Sequence, residues 1–288
     1  MDSKVKKIAR AIQWVQNHPG LFICPVCGDQ DLRVEASSLV CAAGHRTDFN
    51  KHGFLYFLQG KSNDEYDRSM LTERRRLLEA GLFMPMVEAV ANQLPVGSQT
   101  ILDVGTGEGT PLLQLAKLRK EDDTLVGFDI SKAGIQLATQ LDFGGFFCVA
   151  DLRHLPFNAG AFSAVIEFFS PSDYREFDRV LAPNATLIKV IPNSGYLAEL
   201  RHLLYGKTGR HAEYDNQPVV DLFMHHYPGA KQVPVRYQFP LPSELRWAMV
   251  EMSPLHWGKE ARPIAELDLG QLTHVTVDVT VLVGEKRS

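Results

Sequence analysis

Three of the chain's four cysteines lie in one short N-terminal segment, together with a histidine at matching spacing. Cys24 and Cys27 have two residues between them, and after a further interval come Cys41 and His45, with three between them. Pairs this close fit on tight turns, and two such pairs complete a tetrahedron of three thiolates and one imidazole. The spacing predicts a structural Zn²⁺ bound by these four residues. The fourth cysteine, Cys148, lies in an apolar stretch and is not expected to participate.

The composition is that of a soluble globular chain and limits the classes of function. Of 288 residues, 45% are hydrophobic and 22% charged, and no apolar run is long enough to span a bilayer. We expect no membrane association. Few cysteines and no signal peptide predict a cytoplasmic location. A net charge of −4 does not favour nucleic-acid binding, although a local basic face on an acidic body would permit it.

A second motif, ILDVGTGEGT at residues 101–110, combines an apolar strand with alternating glycines before a predicted helix. Gly105, Gly107 and Gly109 let a ligand approach the backbone closely, with the helix N-terminus behind them. The spacing differs from the G-x-G-x-x-G fingerprint of nicotinamide cofactors. Asp103 would repel a pyrophosphate but would pair with the amino group of a bound amino acid. The motif resembles the cofactor loop of Rossmann-like methyltransferases that use S-adenosyl-L-methionine (SAM).

Carboxylates also end the next two apolar strands. Asp129 ends LVGFDI, where a carboxylate can accept hydrogen bonds from both ribose hydroxyls of an adenosine. Asp151 ends the following strand and, with Leu152, resembles the adenine-binding turn of that class. Thr110 and Ile130, which follow the glycine loop and Asp129, complete this part of the predicted cofactor site.

The order of elements predicts an α/β fold. TILDV, TLVGFDI, GFFCVAD, SAVIEFF and ATLIKVI are expected strands, and TPLLQLAKLRK, SKAGIQLATQL and YREFDRVL are expected helices between them. This alternation is typical of a Rossmann-like, mostly parallel sheet with helices on both faces. Near the C-terminus, VTVDVTVLVG predicts a strand close to the sheet edge, and KQVPVRYQF an antiparallel neighbour.

Four segments follow from these patterns. We expect an N-terminal helical extension at 1–21, a zinc ribbon at 22–60, a helical linker at 61–98 and the methyltransferase domain at 99–288. The extension is basic and amphipathic. It either packs on its own protein or contacts a membrane surface or RNA.

The fourth strand of the domain ends in EFFSPSDY, where this class of enzyme places substrate-facing residues. Phe168 and Phe169 either contact a substrate or belong to the core, and the sequence does not distinguish these alternatives. Glu167 and Asp173 are candidate proton acceptors by position. Nothing in the sequence selects either one, so the catalytic residue is unknown at this stage.

The whole order of motifs resembles the bacterial large-subunit (23S) rRNA guanine-N1 methyltransferases, the zinc-ribbon family that includes the tylosin-resistance methyltransferase. The similarity extends from residue 22 to the end, through CPVCG, CAAGHRTDFNKHGFLYFL, ERRRLLEAGLFMPMVEAV and IPNSGYLAELRHLLYG. It implies SAM and Zn²⁺ as cofactors, an rRNA hairpin as substrate, a ribbon that contributes to RNA recognition, and a homodimer. It also implies that Phe83 lies near SAM.

Departures from the family pattern leave two other functions open. The segment after the ribbon is short and lacks the family's basic cluster, and Phe-Ser-Pro-Ser replaces the typical Tyr-Ala-Pro-Cys after the fourth strand. One alternative is a SAM-dependent methyltransferase of a small molecule or another nucleotide, with a structural or dimerising ribbon. The other is an inactive zinc-ribbon RNA-binding or regulatory protein, which the intact cofactor acids oppose.

The densest positive cluster beyond the ribbon is Arg74, Arg75 and Arg76.

Overall fold

The structure is a computed structural model that describes residues 6–60, 67–206, 215–258, 260–263 and 267–287. The first residues of the predicted extension (1–5) and of the predicted linker (61–66) lie outside this description. The chain divides into two compact units. The first comprises residues 1–66, 94–187 and 285–288, and the second comprises 67–93 and 188–284.

The first unit contains the ribbon and the first part of the methyltransferase sheet. Its elements are α1 (Lys7–Asn17), β1 (Leu32–Glu35), β2 (Ser38–Cys41), β3 (Arg46–Asp48), β4 (Leu55–Tyr56), β5 (Thr100–Val104), α4 (Thr110–Arg119), β6 (Thr124–Asp129), α5 (Lys132–Ala138), β7 (Phe146–Val149), β8 (Phe162–Phe168) and α6 (Tyr174–Val180). β9 (Leu181–Pro192) begins in this unit and ends in the second.

The second unit contains the remaining helices and the two C-terminal strands. Its elements are α2 (Arg68–Glu79), α3 (Met84–Ala91), α7 (Ala198–Tyr205), α8 (Gln217–His226), β10 (Lys231–Pro240), α9 (Arg246–Glu251) and β11 (His274–Glu285), of which the last residue belongs to the first unit. β10 and β11 pair antiparallel along ten residues, from Lys231 opposite Val283 to Pro240 opposite His274. The predicted antiparallel C-terminal pair is therefore confirmed.

Eight strands form the main sheet in the order β10-β11-β9-β8-β5-β6-β7-β4. β5 pairs parallel with β6 and β8, and β6 pairs parallel with β7. β5 and β7 are almost wholly buried, as expected of parallel strands covered on both faces. The five predicted strands are confirmed as β5 to β9, and with them the α/β fold class.

The ribbon forms a three-stranded antiparallel sheet, β1-β2-β3, and supplies one short strand to the main sheet. That strand, β4, pairs parallel with β7, with Leu55 opposite Cys148. The apolar run GFLYFL favours a strand at this position, but nothing in it indicates a partner, so the sequence did not predict the pairing with β7. The compact units group residues by spatial proximity and are discontinuous in sequence. They therefore do not test the four expected segments, whose boundaries remain a prediction.

The N-terminal helix α1 packs within the first unit. Trp14 stacks on His18 and on Phe146 of β7, with ring centroids 4.1 and 4.9 Å apart. Its indole N–H donates to the Gly144 carbonyl at 2.9 Å. Residues 7–17 of the extension therefore pack on their own protein, which is the first of the alternatives that the sequence left open.

Candidate metal and cofactor sites

The four predicted zinc ligands come together in the ribbon. One donor atom from each of Cys24, Cys27, Cys41 and His45 lies within 4.8 Å of all the others. The Cys27 and Cys41 sulfurs are 3.7 Å apart, and His45 Nδ1 lies 3.6 Å from Cys24 Sγ and 3.4 Å from Cys41 Sγ. Tetrahedral zinc with ordinary bond lengths separates its ligand atoms by about 3.5–3.8 Å. The donor set therefore fits Zn²⁺ in both chemistry and spacing.

Two glycine turns present these ligands. The Gly28 N–H donates to the Cys24 carbonyl, and the Gly44 N–H donates to the Cys41 carbonyl, each at 2.9 Å. Both glycines have positive φ, 72° and 84°, a conformation that glycine adopts without steric cost. Asp29 joins the two turns, because its carboxylate accepts the Ala42 N–H at 2.8 Å.

The local environment also favours thiolate at Cys41. Burial opposes ionisation of this thiol, but hydrogen bonds from the His45 backbone and from neighbouring cluster side chains outweigh it and lower the pKa to about 7. Thiolate is the form that binds zinc. Cys148 lies outside the cluster on β7, and complete burial raises the pKa of its thiol.

The glycine loop connects β5 to α4 at the carboxyl edge of the sheet. Gly105, Gly107 and Gly109 all have positive φ, between 58° and 85°. A Cβ at Gly107 would meet no atom within 4 Å, whereas a Cβ at Gly109 would press against Ala138, Leu141 and Phe147. The middle glycine thus borders open space, and the last one permits close packing. This open backbone fits a ligand that approaches the loop, as SAM is expected to do.

Asp129 fastens the glycine loop to the end of β6. Its Oδ2 accepts the Gly107 N–H at 2.8 Å, and its Oδ1 accepts the Ser131 N–H at 2.7 Å. A carboxylate oxygen has two acceptor positions, so one oxygen can accept a backbone N–H and a ribose hydroxyl together. Ile130, beside it, exposes 43% of its surface. An exposed apolar side chain next to a carboxylate fits an adenosine, which has an apolar base and a polar sugar.

The other polar residues predicted for this edge differ in their surroundings. Asp103 is buried, and its carboxylate accepts the Thr106 hydroxyl at 2.5 Å. Thr110 is buried too, and its hydroxyl donates to Glu108 at 2.6 Å. Asp151 is more open. Burial opposes its ionisation, but hydrogen bonds from Arg153 outweigh this and lower the pKa of the carboxyl group.

The structure thus brings the predicted strand-end residues of the first unit to one edge of the sheet. Register places Val104 opposite Phe128, and Asp129 opposite Val149, two residues before Asp151. Leu152 follows in the turn and is half-buried. Phe83 belongs to the second unit, where it is buried with the Arg74 guanidinium 5.7 Å from its ring centroid. Its predicted place beside SAM remains a prediction.

Sequence reasoning missed two residues that shape these sites. Asp29 links the two ribbon turns, and its position after Gly28 in an Asp-rich turn was the available signal. Gly134, on α5, was also missed. A Cβ there would lie 2.8 Å from the Gly107 carbonyl oxygen, so only glycine lets α5 approach the loop so closely. A glycine within a predicted helix was the signal in that case.

None of the helices in the described ranges combines the length and apolar character that crossing a membrane requires.

Comparison with known proteins places these sites in a family context. A family described as "Methyltransferase domain" matches residues 101–189. The Bacillus subtilis (strain 168) protein YxjB, named provisionally as a 23S rRNA (guanine-N(1)-)-methyltransferase, is 34% identical over 275 residues, which cover 92% of this chain and 97% of that protein. The Streptomyces fradiae 23S rRNA (guanine(748)-N(1))-methyltransferase is 27% identical over 271 residues, 90% of this chain and 95% of the relative.

Among solved structures, a Methanococcus maripaludis protein, mmp1179, described provisionally as a SAM-dependent methyltransferase, has a TM-score of 0.49 and 13% identity. The alignment covers 80% of this chain and 98% of that protein. This likeness is too distant to bear on function.

Proposed function

Because the chain belongs to the 23S rRNA guanine-N1 methyltransferase family, we propose that it transfers a methyl group from SAM to N1 of a guanine in large-subunit rRNA. The observation that carries the proposal is the extent of the similarity to YxjB, which includes 92% of this chain. Less than a tenth of this chain lies outside that alignment. We further propose that the reaction takes place in the cytoplasm and that the ribbon contributes to RNA binding in a homodimer.

The residues proposed to hold SAM have distinct tasks. The glycine loop would let the cofactor lie close to its backbone, and the Asp129 carboxylate would accept hydrogen bonds from the ribose hydroxyls. Asp151 and Leu152 would border the adenine, and Asp103 would pair with the amino group. When bound, SAM supplies an electrophilic methyl group. The chain's own contribution is then to align guanine N1 with that group, because in-line displacement depends chiefly on positioning.

Guanine N1 carries a proton that must leave during methylation, and the two candidate acceptors are both already hydrogen-bonded. Asp173 accepts the Glu176 N–H at 3.1 Å, which caps α6. Glu167 is fully buried and accepts the Ser172 hydroxyl at 3.0 Å. Both carboxylates therefore have structural roles, and neither is assigned as the base. Guanine N1 is occupied in a Watson–Crick pair, so the substrate is expected to be an unpaired or flipped guanine.

The test uses SAM with a tritiated methyl group. The purified protein is offered naked rRNA, large ribosomal subunits and a metabolite extract, and the labelled product is digested and mapped. We expect label at N1 of one guanine in large-subunit rRNA. An Asp129→Ala variant provides the matched control for cofactor-dependent labelling. Label confined to the metabolite fraction would instead support the small-molecule alternative, which the missing basic cluster after the ribbon favours.

A further inference from the structure

The loop after β8 contains an aromatic residue in an unusual backbone conformation. Phe169 has φ of 61°, in the left-handed region that residues with a Cβ seldom adopt. Bulky residues persist there only where the surrounding structure holds them, and such residues cluster at binding and catalytic sites. The residue before it, Phe168, has ordinary backbone geometry and is 5% exposed, so it belongs to the core. Phe169 is half-buried.

A hydrogen bond ties this loop to the glycine loop. The Ser170 hydroxyl donates to the Val104 carbonyl at 2.7 Å, one residue before Gly105. A Cβ at Gly105 would overlap the same hydroxyl, so the two loops are in direct contact. Register supports this arrangement, because Val104 lies opposite Glu167 in the paired strands. Phe169 therefore occupies a fixed position beside the loop proposed to hold the cofactor.

From this geometry we infer that Phe169 is the platform on which the acceptor base stacks during methyl transfer. The inference rests on the proposed function and deepens it. Ligands of open α/β sheets bind outside the carboxyl ends of the strands, which is where Phe169 lies. An aromatic side chain at that edge suits a planar, unpaired purine, because base–aromatic stacking depends on two flat faces.

The test measures kcat and KM for a large-subunit rRNA hairpin that the wild type methylates. Phe169→Leu removes the ring and is expected to raise KM for RNA by about 5- to 150-fold, the range that corresponds to loss of one base–aromatic stack. Phe169→Tyr should restore KM to near the wild-type value. SAM affinity, measured by calorimetry, should change little in either variant. Phe143→Leu, which alters a half-buried ring on the segment before β7, is the matched control and should leave KM unchanged.

A second variant keeps the test meaningful if Phe169→Leu folds poorly. Phe169→Gly also lacks the ring, and glycine adopts the positive φ without the steric cost that leucine has there. Its KM for RNA should rise as in the leucine variant. RNA affinity without cofactor gives a readout independent of turnover and should fall in parallel.

Two results would overturn the inference. If folded Phe169→Leu and Phe169→Gly methylate the hairpin with wild-type KM, Phe169 is not the platform although the proposed function stands. If the wild type labels no RNA but labels a metabolite, the proposed function fails, and the same variants are then assayed on that metabolite. A non-planar acceptor, or an unchanged KM, would reject the platform in that case.

Discussion

At the scale of single residues, the predicted zinc ligand Cys41 lies in an environment that favours its thiolate form. Hydrogen bonds lower the pKa of Cys41 to about 7 despite its burial. The three thiol sulfurs lie within 4.8 Å of one another, and a cation bound between them would account for that proximity. Zn²⁺ bound by these ligands would stabilise the ribbon locally, as it does in other small metal-bound modules.

We predict that Cys41→Ala abolishes zinc binding. Metal analysis of the wild type should give about one zinc per chain, with a stoichiometry near zero in the variant. Thermal stability should also fall, because β4 of the ribbon pairs with β7 and loss of the metal loosens that strand. Cys148→Ala is the control and should retain the metal. A zinc-free wild type, or loss of zinc in the Cys148 variant, would contradict the assignment.

The Asp129 carboxylate accepts a hydrogen bond from the Gly107 N–H and is also proposed to bind the ribose. We predict that Asp129→Ala weakens SAM binding by about 1–3 kcal/mol, the cost of leaving partners of a charged acceptor unpaired. Gly107→Val should abolish binding, because it combines strained positive φ with a side chain in the space open beside the loop. Calorimetry measures both.

The exposed Asp122→Ala, which removes a negative charge at the opposite end of β6, serves as the control. Unchanged SAM affinity in both site variants would refute the cofactor assignment. So would tight binding of NADH by the wild type.

At the scale of elements, α6 is joined to the turn after β7 by a buried carboxylate. Glu176 accepts the Leu155 N–H at 2.8 Å and an Arg179 N–H at 2.7 Å. Burial opposes ionisation of Glu176, but the Arg179 and Leu155 hydrogen bonds outweigh it, and the carboxyl pKa lies below its ordinary value. This element contact is therefore sensitive to acid.

The sign of the pH dependence follows from that direction. A carboxyl group with a depressed pKa in the folded state stabilises the fold above its unfolded pKa, and the contribution is lost as pH falls through the folded value. We predict that the free energy of unfolding decreases below about pH 4.5, and that Glu176→Gln reduces this dependence. Urea unfolding across pH 3 to 7, taken as roughly the titration range of a carboxyl group, measures it. Exposed Glu79→Gln is the control, and an unaltered pH profile in the Glu176 variant would disprove the account.

At the scale of the whole molecule, an acidic chain with net charge −4 must present a local basic surface if its substrate is RNA. Residues 74–76 are consecutive arginines on α2, so their side chains diverge around the helix. Arg74 lies 5.7 Å from the centre of the Phe83 ring. Arg76 is more open, pairs with Glu73 at 2.6 Å and has a 45% exposed side chain.

We predict that these arginines separate in their effects. Arg76→Ala should weaken binding of a large-subunit rRNA hairpin and reduce the slope of log affinity against log salt by about one. Arg74→Ala should chiefly lower thermal stability, because it removes packing over a buried ring. Affinity measured against salt concentration, together with melting curves, distinguishes the two, and Arg75→Ala is measured alongside.

A scrambled hairpin is the control for sequence preference. If no variant, the wild type included, prefers the rRNA hairpin, the RNA substrate is wrong and the small-molecule alternative replaces it. If all three alanine variants behave like the wild type, α2 is a solvated face without a role in RNA binding.

The sequence alone determined the features that depend on local spacing. Cys24, Cys27, Cys41 and His45 were identifiable as one site because two close pairs on two turns can converge only in a few ways. The glycine loop and the acids after β6 and β7 were equally readable, because parallel strands place their carboxyl ends at one edge. Five apolar segments in βαβ order were sufficient to predict the main sheet.

Tertiary structure decided what depends on contacts between distant segments. The pairing of Leu55 with Cys148, the stacking of Trp14 on Phe146 and the left-handed backbone of Phe169 have no local signature. Each is favourable only because segments far apart in sequence pack together, and the free energy of that packing is a property of the assembled core. The three helices α7, α8 and α9 went unrecognised for the same reason, since weakly periodic segments take their conformation from what they pack against.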